Sequence, residues 1–451
     1  MTDNVNAREI VLDMLMEVIE GDKFSHTVLS HTLKKNQHLE KQERAFISRL
    51  FTGTIKIYLR LDYIINKFST LPVGKMKPLI RNLLRMSVYQ LLSMDQVPAS
   101  AVCNEAVKLA KKRGFTKLSG FVNGILRNIE RNKTNINYPD KEKEPVFYLE
   151  VTYSFPKWLI TELISQYDIN TVEQMLSASI KEKETTIRCN RKKITPEKLK
   201  ERLLQEGVIV EESEYLNYAF KLKDYDYLEK LETFGEGCFS VQDVSSMLVC
   251  EVADIREDDF VVDVCAAPGG KALHAAEKAK KVTARDLTDY KIKLIEENII
   301  RLGFDNVETK VWDATKQDED IINLADVVIA DLPCSGWGVI GKKSDIKYKL
   351  TQNQQKELVE LQRLILNIVQ SYVRPGGVLI YSTCTVNKEE NQGNRDWFLS
   401  HYDFEAESLN PYIPEKLQCQ TTKEGYLQLL QGIHNTDGFF LSRYRKKQRK
   451  V

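Results

Sequence analysis

The sequence predicts an α/β protein with three parts: an all-helical N-terminal domain, a small α+β module and a doubly wound parallel sheet. Three observations predict it. Apolar residues recur at helical spacing early in the chain, a polar stretch with two prolines follows, and short β-branched runs alternate with helical stretches from about Gly235. A chain of 451 residues has room for roughly two to four domains of ~100–200 residues each. We place the parts at residues 1–131, 146–234 and 235–451, with a linker over 132–145.

The first part is predicted to be helical throughout. Its apolar residues lie three and four positions apart, which is the spacing of one face of an amphipathic helix. The clearest runs are Ala7, Ile10, Val11, Met14, Leu15, Val18 and Ile19; Val102, Ala106, Leu109 and Ala110; and Val122, Ile125, Leu126 and Ile129. The linker is polar and contains Pro139 and Pro145, so it favours a break between domains.

The small module is predicted from mixed signals. Thr195 followed by Pro196 is a typical helix start, with threonine as the N-cap and proline at the first helical position. Gly207 is expected to end that helix. Short strands are predicted at Thr185–Asn190, Val208–Val210 and Ala219–Leu222. Modules of this size bind RNA, although the pattern alone is generic.

The last part alternates strands and helices, which predicts a parallel, doubly wound sheet. Ligands in such sheets bind beyond the carboxyl ends of the strands, and the chemically informative motifs follow those ends. The predicted helices are Asp289–Arg301 and Gln352–Arg374, and the predicted strands are Phe260–Val264, Val282–Asp286, Val307–Val311, Val327–Asp331 and Val378–Ser382. The C-terminal run Arg443–Lys447 is predicted to touch RNA or to be a solvated tail.

Composition narrows the class of protein. No apolar run approaches the ~20 residues of a membrane helix, and the N-terminus lacks the pattern of a signal peptide. The eight cysteines include no Cys-x-x-Cys pair, so no metal site and no disulfide framework are predicted. We therefore expect a cytoplasmic protein with free thiols and no membrane partner.

The net charge of +1 conceals an asymmetry. Residues 1–140 contain 22 Lys+Arg and 13 Asp+Glu, which leaves 43 and 51 for the rest of the chain. The excess includes Lys75, Lys77, Arg81, Arg85 and the run Lys111–Arg113. A solvated helical surface is the plain interpretation, but sparse acidic residues favour contact with nucleic-acid phosphates.

A glycine turn follows the first strand of the sheet. Its residues Cys265, Ala266, Ala267, Pro268, Gly269, Gly270 and Lys271 are candidates for cofactor binding because two glycines let a ligand approach the backbone. The G-x-G-x-x-G pattern of nicotinamide enzymes is missing. Asp286 ends the next strand, where an acid commonly binds ribose hydroxyls, and Asp313 follows the third, where it can accept from an adenine amino group. Each aspartate alone is as well explained as a helix cap, but together the three features predict S-adenosylmethionine.

Two cysteines follow the last two predicted strands. Cys334 lies in Asp331–Gly336 (DLPCSG) and Cys384 in Tyr381–Thr385 (YSTCT). A thiol that adds to C6 of a pyrimidine makes C5 nucleophilic enough to accept a methyl group. Asp331 can hydrogen-bond cytosine N3 and N4 and favour protonation at N3. Buried structural cysteines and a capping aspartate are the alternatives, and the residues alone do not rank the two thiols.

At this point the sequence resembles a known family. The motifs Asp263–Lys271, Asp331–Gly336, Ser382–Cys384 with Glu389–Asn391, and Asp437–Phe440 are similar to the signatures of RNA 5-methylcytosine methyltransferases. The front end resembles a NusB-like RNA-binding domain. That fusion is typical of bacterial small-subunit (16S) ribosomal RNA cytosine C5 methyltransferases of the Sun/Fmu type. The resemblance covers nearly the whole chain and implies a Rossmann-like methyltransferase domain.

The resemblance also implies roles for individual residues. Cys384 would be the nucleophile, Cys334 would assist release of the methylated base, and Cys265–Lys271, Asp286, Asp313 and Asp331 would form the cofactor side of the pocket. It implies 16S rRNA as the partner, no DNA, and a monomer. Gly341–Asp345 lacks the usual arginine and proline of its segment, and Thr385 replaces a serine, which leaves details of the substrate loop open.

Two rival functions stay open. A non-catalytic RNA-binding or ribosome-assembly factor would keep the helical domain but would not need both thiols and the glycine turn. The same chemistry on transfer RNA is disfavoured only by analogy with the family. N-methylation of adenine or glutamine would require an Asn/Asp-Pro-Pro-Tyr/Phe motif where Asp331–Cys334 (DLPC) stands.

Overall fold

The computed structural model describes residues 6–448, and the chain divides into two compact units. One unit extends to Lys181 and also contains Ile340–Lys349. The other consists of Glu182–Val339 and the chain from Leu350 onward. Within residues 6–448, no helix is both long enough and apolar enough to cross a bilayer.

The first unit is helical, as predicted. Its apolar faces form one core in which Leu12, Leu50, Leu61, Leu84 and Leu126 are completely buried. The four residues predicted for the last face, Val122 to Ile129, are all buried. The helices are α1 (Ala7–Leu15), α2 (Ser25–Lys35), α3 (Lys41–Lys56), α4 (Tyr58–Phe68), α5 (Pro78–Ser93), α6 (Ala99–Lys112), α7 (Ser119–Asn132), α8 (Pro145–Tyr153), α9 (Lys157–Gln166) and α10 (Ile169–Ile180).

The segment after α7 differs from the predicted linker in one detail. Lys133–Asn135 forms a single 3-10 turn, and α8 then begins at Pro145. The helices α8–α10 lie in the same compact unit as α1–α7, whereas the sequence groups them with the small module from residue 146. The predicted domain boundaries therefore remain a prediction, and the strands of the module begin only at Thr185.

The short segment Ile340–Lys349 belongs to the helical unit although it is distant in sequence. Asp345 accepts hydrogen bonds from the backbone N–H and the hydroxyl of Ser25, at 2.9 and 2.5 Å. Lys347 Nζ donates to the carbonyl of Lys56 at 2.9 Å, and the Tyr348 hydroxyl donates to the carbonyl of Ser154 at 2.9 Å. Polar contacts thus anchor this segment among the helices.

The second unit begins with a four-stranded antiparallel sheet in the order β2-β3-β1-β4. Its strands are β1 (Thr185–Cys189), β2 (Ile209–Glu212), β3 (Ala219–Lys223) and β4 (Phe239–Val241). The helix α11 (Pro196–Gln205) starts as predicted, because the Thr195 hydroxyl accepts from the backbone N–H of Lys198. A short helix α12 (Glu232–Gly235) precedes β4.

The larger sheet has eight strands, in the order β10-β12-β9-β8-β5-β6-β7, with β11 paired to β12. Strands β5 to β9 are mutually parallel, as predicted, whereas β10, β11 and β12 pair antiparallel. The strands are β5 (Phe260–Asp263), β6 (Lys281–Asp286), β7 (Val307–Val311), β8 (Ala325–Asp331), β9 (Val373–Thr383), β10 (Phe404–Ala406), β11 (Tyr426–Leu429) and β12 (Phe439–Lys446). The sheet is therefore mixed rather than purely parallel.

Helices connect these strands. They are α13 (Val244–Ala253), α14 (Gly270–Ala275), α15 (Asp289–Leu302), α16 (Ile346–Lys349, in the helical unit), α17 (Gln352–Val369), α18 (Asn394–His401) and α19 (Gln420–Lys423). The predicted helix over Gln352–Arg374 is too long by five residues at its C-terminal end. Arg374 precedes Pro375, which disfavours helical backbone at Arg374, and the chain has already entered β9 there.

The predicted role of the C-terminal run Arg443–Lys447 is wrong for most of its residues. Arg443 to Lys446 lie in β12, which pairs with β9. The Arg443 side chain is only 1% exposed; it donates to Glu407 and to the carbonyl of Val252. This part of the run is a structural strand because its cations find the half-buried carboxylate of Glu407 and backbone carbonyls.

Candidate active site

The strand order reverses between β5 and β8, which is where doubly wound sheets bind ligands. Strands β8 and β9 run parallel, with Asp331 opposite Ser382. The backbone N–H of Leu332 donates to the Ser382 carbonyl at 3.1 Å, so the pairing continues beyond β8. The two cysteine turns therefore leave the same edge of the sheet side by side.

The structure brings the two predicted thiols together. The sulfur atoms of Cys334 and Cys384 lie 3.3 Å apart, within hydrogen-bonding distance. The thiol of Cys384 as hydrogen-bond partner, together with burial, raises the pKa of Cys334 well above its ordinary value. Cys334 consequently remains protonated near neutral pH. It is therefore poorly suited to a role in which a cysteine must attack as a thiolate.

Lys271 and Asp331 form an ion pair beside the thiols. Lys271 Nζ lies 2.5 Å from Asp331 Oδ2, while the Ser382 hydroxyl donates to Asp331 Oδ1 at 2.8 Å. Burial lowers the pKa of Lys271, but the Asp331 carboxylate outweighs it, with Asp263 and Cys384 adding to the rise. Lys271 therefore stays cationic, and Asp331 is not the capping residue that the alternative interpretation proposed.

Asp263, at the end of β5, is a site residue that the sequence interpretation did not single out. It is buried, and within the described chain neither of its carboxylate oxygens has a hydrogen-bond partner. Burial raises its pKa to about 7, with Lys271 opposing and Asp331 adding to the shift. Its position as the first residue of the glycine-turn motif was the signal that could have identified it.

The glycine turn is held by Asp286. Asp286 Oδ2 accepts from the backbone N–H of Ala267 at 2.9 Å, and Oδ1 accepts from the N–H of Leu287 and from Lys291 Nζ, both at 2.8 Å. Gly269 has a φ of +105°, a conformation that favours glycine. Asp286 thus fixes the shape of the predicted cofactor turn, between Ala266 and Gly270.

Two other predicted cofactor residues behave differently. Asp313 Oδ1 accepts from the backbone N–H and the hydroxyl of Thr315, at 3.0 and 2.7 Å, and these bonds lower the pKa of Asp313. Its resolved contacts are those of a local cap. Burial, followed by the nearby carboxylates Asp263, Asp286 and Asp331, raises the pKa of Cys265, so its thiol is a poor candidate for reaction.

The Asp437–Phe440 motif supports the turn after Cys334. The backbone N–H of Gly338 donates to the carbonyl of Cys384 at 3.0 Å, and the N–H of Gly438 donates to the carbonyl of Gly338 at 2.9 Å. A Cβ atom on Gly338 would lie 1.8 Å from the Gly438 carbonyl oxygen, so only glycine fits. The Phe439 ring centroid lies 5.5 Å from Lys271 Nζ. The same close approach explains Gly438, the glycine of the motif, because a Cβ atom there would lie 2.7 Å from Gly338 Cα.

The basic front end is partly neutralised. Arg85 is buried and paired with Asp62 at 2.7 Å, and Arg81 is paired with Glu20. Lys112 pairs with Glu9 at 2.6 Å, and Arg113 pairs with Glu9 and Asp13. Among the residues that the structure describes, no ion pair involves the exposed side chains of Lys75, Lys77 or Lys111. These three are better candidates for phosphate contact than the arginines.

No group of three or more His, Cys, Asp or Glu residues that could hold a metal ion occurs between residues 6 and 448. The backbone at Gly270 is open on the side where a side chain would stand. A Cβ atom built there would meet nothing closer than the Gln242 side chain, at 3.7 Å, so this space is available to a nucleoside cofactor. The two unpartnered oxygens of Asp263 are acceptors suited to a cationic cofactor.

Comparisons with known proteins identify the family of this chain. Three family models match: the 16S rRNA methyltransferase RsmB/F over residues 251–445, the NusB family over 5–131, and the ferredoxin-like domain of RsmF/B-like methyltransferases over 155–228. A Bacillus subtilis (strain 168) protein named "Probable ribosomal RNA small subunit methyltransferase B" is 36% identical over 448 residues, covering 98% of this chain and 99% of that protein. A Serratia proteamaculans (strain 568) relative, "Ribosomal RNA small subunit methyltransferase B", is 28% identical and covers 99% of this chain and all of its own length.

Solved structures show the same fold. One titled "Crystal Structure of PH0851" superposes with a TM-score of 0.80 at 28% identity, covering 98% of this chain and 99% of its own. The structure of NSun6 from Pyrococcus horikoshii with SFG has a TM-score of 0.59 at 24% identity, and covers 65% of this chain and 99% of its own. The predicted resemblance and fold class are confirmed. The chain belongs to the RsmB/F family of 16S rRNA methyltransferases and is an S-adenosylmethionine-dependent rRNA methyltransferase.

Proposed function

We propose that this protein transfers a methyl group to C5 of one cytosine in 16S ribosomal RNA through a covalent bond between Cys384 and C6 of the base. The observation that carries the proposal is the pair of thiols 3.3 Å apart, next to the Lys271–Asp331 ion pair at the reversal of strand order. A non-catalytic RNA-binding factor would have no use for this arrangement.

The reaction requires these residues and one methyl donor. The Cys384 thiolate forms a bond to C6, and the C5–C6 double-bond electrons make C5 nucleophilic while N3 takes a proton near Asp331. S-adenosylmethionine, when bound, supplies the methyl group that C5 accepts. Cys334, after its own thiol proton has passed to solvent, takes the C5 proton. The C5–C6 double bond then re-forms, N3 returns its proton, and the Cys384 sulfur leaves as thiolate. The base must leave its stack to reach the thiols.

The two thiols receive different roles. The raised pKa of Cys334 suits a residue that remains protonated during attack and acts at the release step. Cys384 interacts electrostatically with the Lys271 ammonium, which favours an anion at Cys384. This difference agrees with the roles that the family resemblance implies for the two cysteines.

We assign the cofactor to the turn Cys265–Lys271, with Asp263, Asp286 and Asp331 around it. Asp286 shapes the turn through its bond to Ala267, and Asp263 offers two buried acceptors without donors. Asp313 is kept as a contact for the adenine side, although its resolved bonds are local. The partner is 16S rRNA, in keeping with the names of the relatives, and we propose that the protein acts on it in the cytoplasm as a monomer.

The two cysteine variants test the mechanism. Cys384→Ala should abolish methylation and every covalent RNA–protein species, because no S–C6 bond can form. Cys334→Ala should permit attack and methyl transfer but stall release, so a denaturation-resistant RNA–protein band should accumulate when S-adenosylmethionine is present. Denaturing gels with 16S rRNA and bisulfite sequencing of the product measure both effects.

Cys419→Ala is the matched control, because Cys419 is an exposed cysteine of the same domain. It should behave like the wild type. A covalent band in Cys384→Ala but not in Cys334→Ala would reverse the two roles. Full activity in both variants would refute thiol catalysis and favour the RNA-binding factor.

A further inference from the structure

We propose that Glu390 is a positioning residue that holds the Cys334 turn against the Cys384 turn. Glu390 interacts electrostatically with the Cys334 thiol and, with Gln362, holds the backbone on either side of Cys334. The inference rests on the proposed function for its catalytic consequence, but its structural part can be tested without that function.

Glu390 lies in the single π-helical turn Glu389–Gly393, which follows β9. Its side chain is completely buried, unlike that of its neighbour Glu389. The turn is fixed at its start, because the Asn387 side chain accepts from the backbone N–H groups of Glu389 and Glu390 at 2.9 and 3.1 Å. These hydrogen bonds hold the backbone of Glu390 in place and so restrict the position of its carboxyl group.

The carboxyl group reaches the Cys334 turn directly. Glu390 Oε2 accepts from the backbone N–H of Ser335 at 2.9 Å and from Gln362 Nε2 at 2.9 Å. The same Gln362 nitrogen donates to the carbonyl of Pro333 at 2.8 Å. The peptide groups on both sides of Cys334 are thus tied to the Glu390–Gln362 pair.

The residue after Glu390 holds the other turn. Asn391 Oδ1 accepts from the Thr383 hydroxyl at 2.6 Å, and Asn391 Nδ2 donates to the Thr385 carbonyl at 3.0 Å. Both contacts flank Cys384. The Ser335 and Thr385 hydroxyls, 2.6 Å apart, then join the two turns to each other.

Two consecutive residues of one turn therefore clamp the two cysteine turns. Glu390 holds the Cys334 side, and Asn391, together with a hydrogen bond between Thr385 and Glu390, holds the Cys384 side. A covalent adduct at C6 places the C5 proton within reach of the second thiol only if both turns keep their separation. Geometric errors of about 1 Å in a catalytic group can cost ~100-fold in rate.

Three variants separate position from charge. Glu390→Gln keeps an oxygen acceptor at the same reach, Glu390→Asp keeps the charge but withdraws the acceptor by one methylene, and Glu390→Ala removes it. We expect kcat to fall about ten- to a hundredfold in Glu390→Asp and Glu390→Ala, with Glu390→Gln within about threefold of wild type. KM for RNA and the affinity for S-adenosylmethionine should stay within about twofold. Glu389→Ala, on the exposed neighbour, is the matched control.

The rate of disulfide formation between Cys334 and Cys384 reports how close the two sulfur atoms are, and it does not depend on methylation. Diamide, an azo oxidant, takes two electrons and two protons from the thiols of Cys334 and Cys384, which leaves a disulfide and a hydrazine. Mass spectrometry of the peptide pair follows the rate of disulfide formation, which should be slower than wild type in Glu390→Asp and no slower than wild type in Glu390→Gln and Glu389→Ala. Removal of the Glu390 charge, which raises the pKa of Cys334, can only speed the reaction in Glu390→Gln.

The outcomes distinguish the two hypotheses. Absence of cytosine C5 methylation by the wild type would refute the proposed function. The rates of disulfide formation would still decide whether Glu390 positions the Cys334 turn. Equal rates of disulfide formation and equal kcat across all variants would overturn the positioning role. A loss in Glu390→Gln as large as in Glu390→Asp would also overturn it, since charge rather than placement would then matter. Should Glu390→Ala fail to fold, the Gln and Asp pair carries the test.

Discussion

Two lysines, one half-buried and one fully buried, show how a nearby carboxylate decides whether a lysine keeps its charge. Lys271 in the sheet unit lies 2.5 Å from the Asp331 carboxylate, and its side chain is 13% exposed. Lys347 in the helical unit is 1% exposed; its Nζ contacts the carbonyls of Lys56 and Tyr153, with the Phe155 ring centroid 4.2 Å away.

The pKa shifts of these two lysines have opposite directions. Burial lowers the pKa of Lys271, but the Asp331 carboxylate outweighs it, so the result is a rise. Burial lowers the pKa of Lys347 well below its ordinary value, and the positive charges of Lys56 and Arg60 add to the effect. Carbonyls and a ring do not replace a carboxylate. Lys271 therefore keeps its positive charge and can act in the reaction. Lys347 instead has a structural role: it fills space in the helical core and donates hydrogen bonds to the backbone.

The largest expected effect is on the methylation rate, which should fall when Lys271 is replaced but not when Lys347 is replaced. Lys271→Met should lower kcat by about 10²–10³, as removal of one preorganised electrostatic group does in other active sites. Lys347→Met should leave kcat within about twofold of wild type. Single-turnover methylation of 16S rRNA measures both. Comparable losses in the two variants would show that Lys347 also serves the reaction.

The next effect concerns stability. Lys347→Ala should destabilise the helical unit by about 2–4 kcal/mol, because it leaves a cavity where a long side chain was buried. Lys347→Met should be neutral or slightly stabilising, since an apolar chain of similar length replaces a buried amine whose burial disfavours its charge. Hydrogen exchange in the peptides of α3 and α4 measures the change locally. A loss in Lys347→Met equal to that in Lys347→Ala would mean that the hydrogen bond to Lys56 dominates.

The pH dependence should have opposite signs for the two lysines. The folded pKa of Lys347 is lowered, so between that value and ~10.4 the unfolded chain binds more protons, and stability rises with pH by at most ~1.4 kcal/mol per unit. The folded pKa of Lys271 is raised, so its stabilisation is complete below ~10.4 and is lost as pH rises through the folded pKa. Unfolding of Lys347→Met from pH 7 to 10 should lack the wild-type rise. A wild-type curve parallel to that of Lys347→Met would contradict the lowered pKa.

The sequence predicted the parts of the site that strand ends determine. Adjacent parallel strands end at one edge, so the meeting of Cys334 and Cys384 and the place of Asp331 followed from the strand pattern. The separation of the sulfur atoms did not follow, because it depends on buried contacts of Glu390 and Gln362. A Lys-Glu-Glu run gives no sign that its last carboxyl is buried.

Contacts between distant segments explain the other differences. Nothing in the periodicity around Lys347 signals burial, since its contacts come from Lys56 and Phe155, about 200 to 290 positions away. The cations of β12 resembled a solvated tail because Glu407, their partner, belongs to a different part of the chain. A local pattern records which residues are polar but not which of them will find a partner.

The distinction between cations with and without a carboxylate partner also applies to the basic surface of the helical unit. The expected effect on RNA binding is the smallest of those considered. Lys75, Lys77 and Lys111 are exposed and form no ion pair within residues 6–448, whereas Lys112 and Arg113 are paired with Glu9 and Asp13. Reversal of the first three to Glu should weaken RNA binding and make its salt dependence shallower, because each lost phosphate contact removes about 0.7–0.9 from the slope of log K against log salt.

Reversal of Lys112 and Arg113 alone is the matched comparison. It should change the salt slope less, since acidic neighbours already neutralise these cations, and its main effect should be a small loss of stability from repulsion of Glu9 and Asp13. Filter binding of 16S rRNA fragments over a salt series measures the slopes, with S-adenosylmethionine affinity as the check that the sheet unit is intact. Equal slopes for the two sets would show that ion pairing in the helical unit does not decide which cations meet RNA.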